Sequence, residues 1–234
     1  MIAKILIENR EGRNNNPERY EAWNKLGLYK NLNTIWVTPT RGVCATTVAF
    51  SWMNVMGPPN SAVCKIESRK MEVGAAYNET ISSILSSEWG KKFNYLLTVE
   101  EDNMPPPDGL LKLFESIQHY DAVGGLYWIK GENAPPMIWG DPKEPGTYVP
   151  QTPLADTVQP CNGLGMGFTL FRMDMFKNPG FEFGQWFKTV ADSKGAYMTQ
   201  DLYFFKRAQE LGYKFACDTR VKVGHYDIEN DIIW

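Results

Sequence analysis

A chain of 234 residues, 43% hydrophobic and 22% charged, holds enough apolar material for one sizeable core, and a single domain is expected. A formal net charge of −3 and a pI near 5.5 give no overall attraction to nucleic acid or to an anionic membrane. Residues 1–8 are too few and too soon charged for a signal peptide, and no apolar run approaches bilayer length. Cys44, Cys64, Cys161 and Cys217 are scattered without a close pair, which suggests neither a zinc site nor a disulfide scaffold. A cytoplasmic protein with reduced thiols is expected. Aromatic residues make up 13% of the chain, with eight Trp; they either line pockets for flat or sugar-like ligands or fill the core.

Residues 2–7 form an apolar run, Asn14-Asn15-Asn16-Pro17 break it, and Tyr20, Trp23 and Leu26 share one helical face. No chemistry is legible there. From Thr34 the pattern alternates: a strand over 35–38, a helix over 45–56, a strand over 62–66, a helix over 74–89 and a strand over 95–99. Such alternation predicts a parallel sheet covered by helices. The strand over 95–99 carries the most information. Its Leu/Val run, typical of a strand buried on both faces, ends at Val99, and three acids follow, Glu100, Glu101 and Asp102. Ligands in open α/β sheets bind beyond the carboxyl ends of such strands, where stacked carboxylates suit a metal. The plainer reading is a solvated acidic loop. Pro105, Pro106 and Pro107 then turn the chain, and Asp108 is placed to cap a helix with Leu110, Leu111, Leu113, Phe114 and Ile117 at helical spacing.

That helix is expected to reach about His119, and a strand to follow over 122–128. Residues 131–160, rich in proline and glycine, read as irregular loops with short strands. A loop segment this long in a compact domain marks function or mobility. Over 161–172, Gly163, Gly165 and Gly167 precede a strand. Their spacing imitates a dinucleotide fingerprint but lies before a strand instead of between strand and helix, so that reading is rejected. Glycines here let backbone approach a ligand closely. The last helix starts near Thr199, runs through Leu202, Phe205, Ala208 and Leu211, and stops at Gly212. Residues 213–217 and 221–223 read as two closing strands, with His225 at the end of the second.

Three separated segments, in this order and spacing, resemble the GT-A fold glycosyltransferases of the family 2 type, which move a sugar from a nucleotide diphosphate to an acceptor. Glu100-Glu101-Asp102, with Met104-Pro105-Pro106-Pro107-Asp108, resembles the family's Asp-x-Asp metal motif and its proline-rich tail. Gly165-Met166-Gly167-Phe168-Thr169-Leu170 resembles the glycine-containing strand beside the donor sugar. Gln200-Asp201-Leu202 through Leu211-Gly212-Tyr213-Lys214 resembles the acidic pair and helix that carry the catalytic base, followed by a histidine. The match covers residues 34–227 and departs at three places: Glu100 replaces the first aspartate, Gln200 replaces a glutamate, and Tyr77-Asn78 stands where the family often has Arg-Asn.

The resemblance implies an α/β architecture, a GT-A (Rossmann-like), mostly parallel central sheet flanked by helices, with an irregular loop-rich segment near 131–160. It implies one domain over 1–234, in which 1–33 are an extension outside the match, 34–128 bind nucleotide, and 129–234 handle donor sugar and acceptor. It implies a divalent ion, Mn²⁺ or Mg²⁺, held by Asp102 and His225; an oxygen-plus-imidazole set suits Mn²⁺ better than Ca²⁺, while a lone His is also a common structural residue. Glu100 would face the ribose and Glu101 the donor sugar, with Gly165, Met166 and Gly167 alongside. Asp201 would take the acceptor hydroxyl proton in an inverting transfer, from a first-turn position where the helix dipole favours its ionised form and where acids also serve as plain caps. Thr38, Pro39, Thr40 and Arg41 end the first strand of the sheet, where the nucleotide base is expected, although Arg41 also reads as an ordinary surface charge. Glu67 and Arg69 lie at the same edge as second-rank candidates, and Pro135 and Trp139 either close over a ligand or pack. The implied partners are a UDP- or GDP-sugar and an acceptor saccharide, lipid-linked glycan, protein or modified nucleobase, with no membrane span. Three alternatives stay open: a retaining enzyme of the same fold, a nucleotidyltransferase, which would bring a glycine-rich basic loop after the first strand, and a non-catalytic sugar- or nucleotide-binding module.

Overall fold

The computed structural model describes residues 32–59, 61–191 and 197–234. The chain divides into residues 1–31 and residues 32–234, and the described residues all belong to the second unit. The apolar run at 2–7 and the face of Tyr20, Trp23 and Leu26 lie outside the described residues.

In chain order the elements are β1 (Thr34–Thr40), α1 (Thr46–Asn54), β2 (Val63–Arg69), α2 (Val73–Ser86), β3 (Tyr95–Val99), β4 (Asn103–Met104), α3 (Gly109–Ser116) and β5 (Ala122–Leu126). Then come β6 (Ile138–Trp139), β7 (Val158–Cys161), β8 (Gly163–Leu164), β9 (Phe168–Arg172), β10 (Val190–Ala191), β11 (Tyr197–Met198), α4 (Gln200–Glu210), β12 (Phe215–Lys222), β13 (Gly224–Asp227) and β14 (Ile232–Ile233). Seven strands form the main sheet in the order β2-β1-β3-β9-β5-β12-β7. β1 is parallel to β2 and β3, and β12 to β5, while β9 and β7 run the other way, so five of the seven strands share one direction. This is the mostly parallel, helix-flanked sheet expected of the sequence.

The two-residue period of the strands sorts their apolar side chains into two cores, one on each face of the sheet. Ile35, Val37, Leu96 and Phe171 join Tyr77, Ile81 and Ile84 of α2 and Phe204 and Phe205 of α4. Trp36, Leu97, Leu170 and Val123 join Leu110, Leu113 and Phe114 of α3. A sheet covered on both faces requires continuous apolar strands, which is why β3 reads Tyr-Leu-Leu-Thr-Val without alternation. The aromatic excess goes mainly into the first core: Phe187 stacks on Phe204 at 4.7 Å and Phe205 meets Phe215 at 4.8 Å. Each such buried ring contributes about 1.5–3 kcal/mol of burial free energy.

Several local expectations shift. Asp108 occupies the N-cap position of α3 but makes no capping bond; its carboxylate pairs with Lys112 at 2.8 Å instead. The two closing strands are one, β12, which continues through a register irregularity between Asp218 and Lys222. His225 therefore lies in the next strand, β13, which pairs with β4 so that His225 stands opposite Asn103. The short β4 was hidden between the acids and the prolines. Residues 131–160 are irregular apart from β6 and the start of β7, and α4 ends where Gly212 takes φ +90. The four cysteines are free. Among the described residues, no helix is long and apolar enough to cross a membrane.

Candidate active site

β1 runs on to Thr40 beyond its last pairing with β3 at Val37 and Thr98, which leaves a ledge at the carboxyl edge of the sheet. The acids after β3 turn back over that ledge. Thr40 Oγ1 donates to Glu101 Oε2 at 2.6 Å, the Arg41 backbone N–H donates to the same oxygen at 2.9 Å, and Arg41 Nε donates to Oε1 at 2.5 Å. Burial opposes charge on Glu101, but these donors outweigh it and hold the carboxyl below its usual range. Both oxygens are thus engaged by Thr40 and Arg41, so Glu101 clamps the end of β1. The Arg41 side chain is largely in solvent.

Asp102 is fixed from both ends. Its carbonyl accepts from the Tyr226 N–H at 2.8 Å, a consequence of the β4–β13 pairing. Its Oδ2 lies 2.5 Å from Lys130 Nζ and 3.4 Å from His225 Nε2. Burial works against the charge of this carboxylate, yet the hydrogen bonds and positive charge of His225 and Lys130 prevail and bring it down to about 2. His225 Nδ1 is 2.8 Å from the Trp128 carbonyl, which can only accept, so Nδ1 carries a proton and Nε2 is the nitrogen that faces Asp102. Tyr127 packs edge-on against the imidazole at 5.6 Å.

Glu100 is the acid under most pressure. Burial raises it first, the charges of Asp102 and Asp201 add to that, and Lys130 only partly offsets them, so its carboxyl is pushed up to about 8. Asp201, in the first turn of α4, is 6% exposed. Its burial raises the carboxyl above the ordinary range despite hydrogen bonds with Thr199 and the Leu202 N–H. The sequence pointed to the ionised form through the helix terminus; desolvation is the stronger influence here. Glu100 thus lies within electrostatic reach of both Asp102 and Asp201, which ties the turn after β3 to the start of α4.

The glycines also pack closely on this chain's own side chains. A Cβ on Gly165 would collide with the Tyr127 hydroxyl, and one on Gly167 would meet Asn103 Oδ1 at 2.5 Å. Gly167 N–H donates to the Tyr127 hydroxyl at 2.9 Å. Met166 between them is buried in the first core. Thr38 is buried and accepts from Trp36 Nε1 at 2.9 Å. In parallel register Glu67 stands opposite Thr38, Ser68 opposite Pro39 and Arg69 opposite Thr40. Glu67 and Arg69 do share the expected edge, where they pair with each other at 2.6 Å in solvent.

Sequence reasoning missed Lys130 and the Trp128 carbonyl, although both follow β5 at the same carboxyl edge as the acids. The hydroxyl of Tyr77, a residue of the first core, and both side-chain amide atoms of Asn103 are buried without a hydrogen-bond partner among the described residues. Where the resembled family often has a basic residue, this chain has a phenol buried in its first core.

No family profile and no curated protein matches the sequence. Among solved structures, A197 from STIV is similar with a TM-score of 0.57 at 17% identity, over 86% of this chain and 92% of that one. GalNAc-T7, crystallised with UDP, GalNAc and Mn²⁺, is similar with a TM-score of 0.55 at 11% identity, over 84% of this chain. This chain spans 44% of the length of that GalNAc-T7 structure. At such identities the likeness is one of fold, and the fold of this chain is the GT-A fold that the sequence resemblance implied.

Proposed function

We propose that the protein is a metal-dependent glycosyltransferase that moves a sugar from a UDP- or GDP-sugar to an acceptor hydroxyl with inversion. One observation carries the reading: at the carboxyl edge of a GT-A sheet, Asp102 Oδ2 faces His225 Nε2 at 3.4 Å, with Asp201 in the first turn of α4. The UDP, GalNAc and Mn²⁺ of the GalNAc-T7 structure support the donor class and the ion.

The donor set suits a divalent ion. Two ligands on one ion, at bonds of about 2.0–2.2 Å and ordinary coordination angles, stand roughly 3.0–3.5 Å apart, and Asp102 Oδ2 and His225 Nε2 are 3.4 Å apart. The Nδ1 contact to a backbone carbonyl is the outer bond that metal-binding imidazoles keep. Among the described residues no cluster of three or more His, Cys, Asp or Glu side chains forms a metal site, so phosphate oxygens and water would complete the shell. Once bound, the ion supplies Lewis-acid stabilisation to the departing diphosphate. Asp201 accepts the acceptor hydroxyl proton; its raised pKa makes it a stronger base than an exposed aspartate. The ledge of Thr38 to Arg41, pinned by Glu101, meets the nucleotide base, with Glu67 and Arg69 beside it. Residues 34–128 then serve the nucleotide and 129–234 the donor sugar and acceptor. Four free thiols support a cytoplasmic setting.

A thermal-shift screen of UDP- and GDP-sugars with and without Mn²⁺ tests this, since a ligand of the folded state alone raises its apparent stability. A metal-dependent shift with one donor, followed by transfer that inverts the anomeric centre, is expected. Absence of any shift across the panel, or undiminished transfer by Asp102→Ala, would overturn the metal reading; a retained anomer would remove Asp201 as base.

A further inference from the structure

We propose that Lys130 is a tethered cation that competes with the divalent ion for Asp102, so that ion uptake is coupled to arrival of the diphosphate. The inference rests on the metal-dependent reading above and adds a residue that lies outside every motif of the resemblance.

Lys130 Nζ sits 2.5 Å from Asp102 Oδ2, the oxygen that also faces His225 Nε2. The pair is partly buried, with side chains 32% and 29% exposed, so bulk screening is reduced. An ammonium and a metal ion sharing that oxygen would stand within about 4 Å of each other, where the Coulomb energy of even unit charges is several times its value in water. The two cations therefore exclude each other. For the ion to bind Asp102 Oδ2, Lys130 has to leave that oxygen, and the lysine then needs another anionic partner.

An arriving diphosphate changes that balance. It offers the ammonium a new anionic partner beside the old one, so the lysine changes partners without being left unpaired. Ion and diphosphate then favour each other, and linkage makes the effect reciprocal.

The lysine is held where this requires. It follows β5 in a turn closed by Ile129 N–H to the Pro135 carbonyl at 3.1 Å and Ala134 N–H to the Gly131 carbonyl at 3.3 Å. Gly131 at φ +124 and Asn133 at φ 57 give the turn its shape. The same stretch provides the Trp128 carbonyl that orients His225, so one turn sets the imidazole and delivers the competing cation.

The test is calorimetric titration of Mn²⁺ into the full chain, with and without saturating UDP, for wild type, Lys130→Met and Lys130→Arg. Wild type is expected to bind Mn²⁺ weakly alone and about 5–150-fold more tightly with UDP, the usual span of coupled sites. Lys130→Met should bind Mn²⁺ about tenfold more tightly without UDP, with the UDP enhancement reduced about tenfold to the part that phosphate coordination supplies; Lys130→Arg should follow wild type. Mn²⁺ affinity in Lys130→Met that is unchanged or weaker, while wild type still binds Mn²⁺ and UDP, overturns the inference and leaves the functional reading standing. No Mn²⁺ binding by any of the three proteins, with or without UDP, overturns both.

Discussion

Asp218 in β12 is fully buried and Glu100 just past β3 is half-buried, and their surroundings differ in kind. Asp218 is wholly inaccessible, yet it accepts from Ser116 Oγ at 2.6 Å, from the Arg220 backbone N–H at 3.1 Å, and from the Arg220 guanidinium at 2.9 and 2.8 Å. Arg220 extends the network to Glu115 at 3.1 Å. Glu100 instead has Asp102, Asp201 and Glu101 as charged neighbours, with Lys130 opposing them, and its carboxyl rises to about 8. A saturated acid is architecture, since its hydrogen bonds repay its desolvation. Acids crowded together without such repayment are what a cationic or electron-poor ligand would relieve. The contrast separates two carboxylate groups that composition alone cannot tell apart.

Four substitutions sharpen or break that contrast, in descending size of effect. Asp102→Ala should lower transfer about 10³-fold, the scale of several kcal/mol of lost charge stabilisation, while stability falls by only about 1–2 kcal/mol with the loss of the half-buried pair to Lys130. If the unfolding midpoint collapses together with activity, Asp102 belongs with Asp218 as architecture. Asp201→Asn should cost about 10²-fold or more in kcat as the proton acceptor is lost. Its pH signature has a definite sign. Burial raises the folded-state pKa of Asp201 above the ordinary 3.8, so the folded protein holds this proton more firmly than the unfolded chain. Stability is therefore greatest below that value and falls as pH rises through the raised pKa, and Asp201→Asn should flatten the decline measured by denaturant unfolding across this window. Wild-type transfer should run the opposite way, falling as pH drops below the same raised pKa.

Asp218→Ala should remove about 3 kcal/mol of stability, the low end for a broken buried ion pair because Arg220 keeps part of its side chain in water. Activity per folded molecule should be unchanged, which an active-site titration against the folded fraction would check. Gly165→Ala should cost about 1–3 kcal/mol through overpacking against the Tyr127 hydroxyl; an unaltered midpoint would show that Tyr127 yields freely.

What the sequence revealed was local. The stop at Val99, the first-turn place of Asp201 and the end of α4 at Gly212 depend on neighbours a few residues away, and all three are present in the fold. Pairing across the chain was not legible. In sequence β12 reads as two strands because Asp218 and Thr219 interrupt its apolar run, and the reason they are tolerated, Ser116 on α3 and Thr157 ahead of β7, lies far off in sequence. The direction of Glu101 depends on Thr40 and Arg41, and no periodicity of three adjacent acids encodes it. Lys130 carried no signal because its meaning comes entirely from Asp102, which the β4–β13 ribbon and the turn after β5 bring to it.

That ribbon has a further consequence. His225 N–H donates to the Trp234 carbonyl at 3.0 Å and Trp234 N–H returns to the His225 carbonyl at 3.1 Å, while on its other side β13 is registered on Asn103. Side chains along a strand point alternately to opposite faces, so the imidazole meets Asp102 only for one parity of the residue count between β12 and His225. A single insertion or deletion around Val223 would preserve every residue type in the site and still turn the ring away. The site is written in spacing as much as in identity, and frame-preserving one-codon indels would read that spacing more directly than substitutions can.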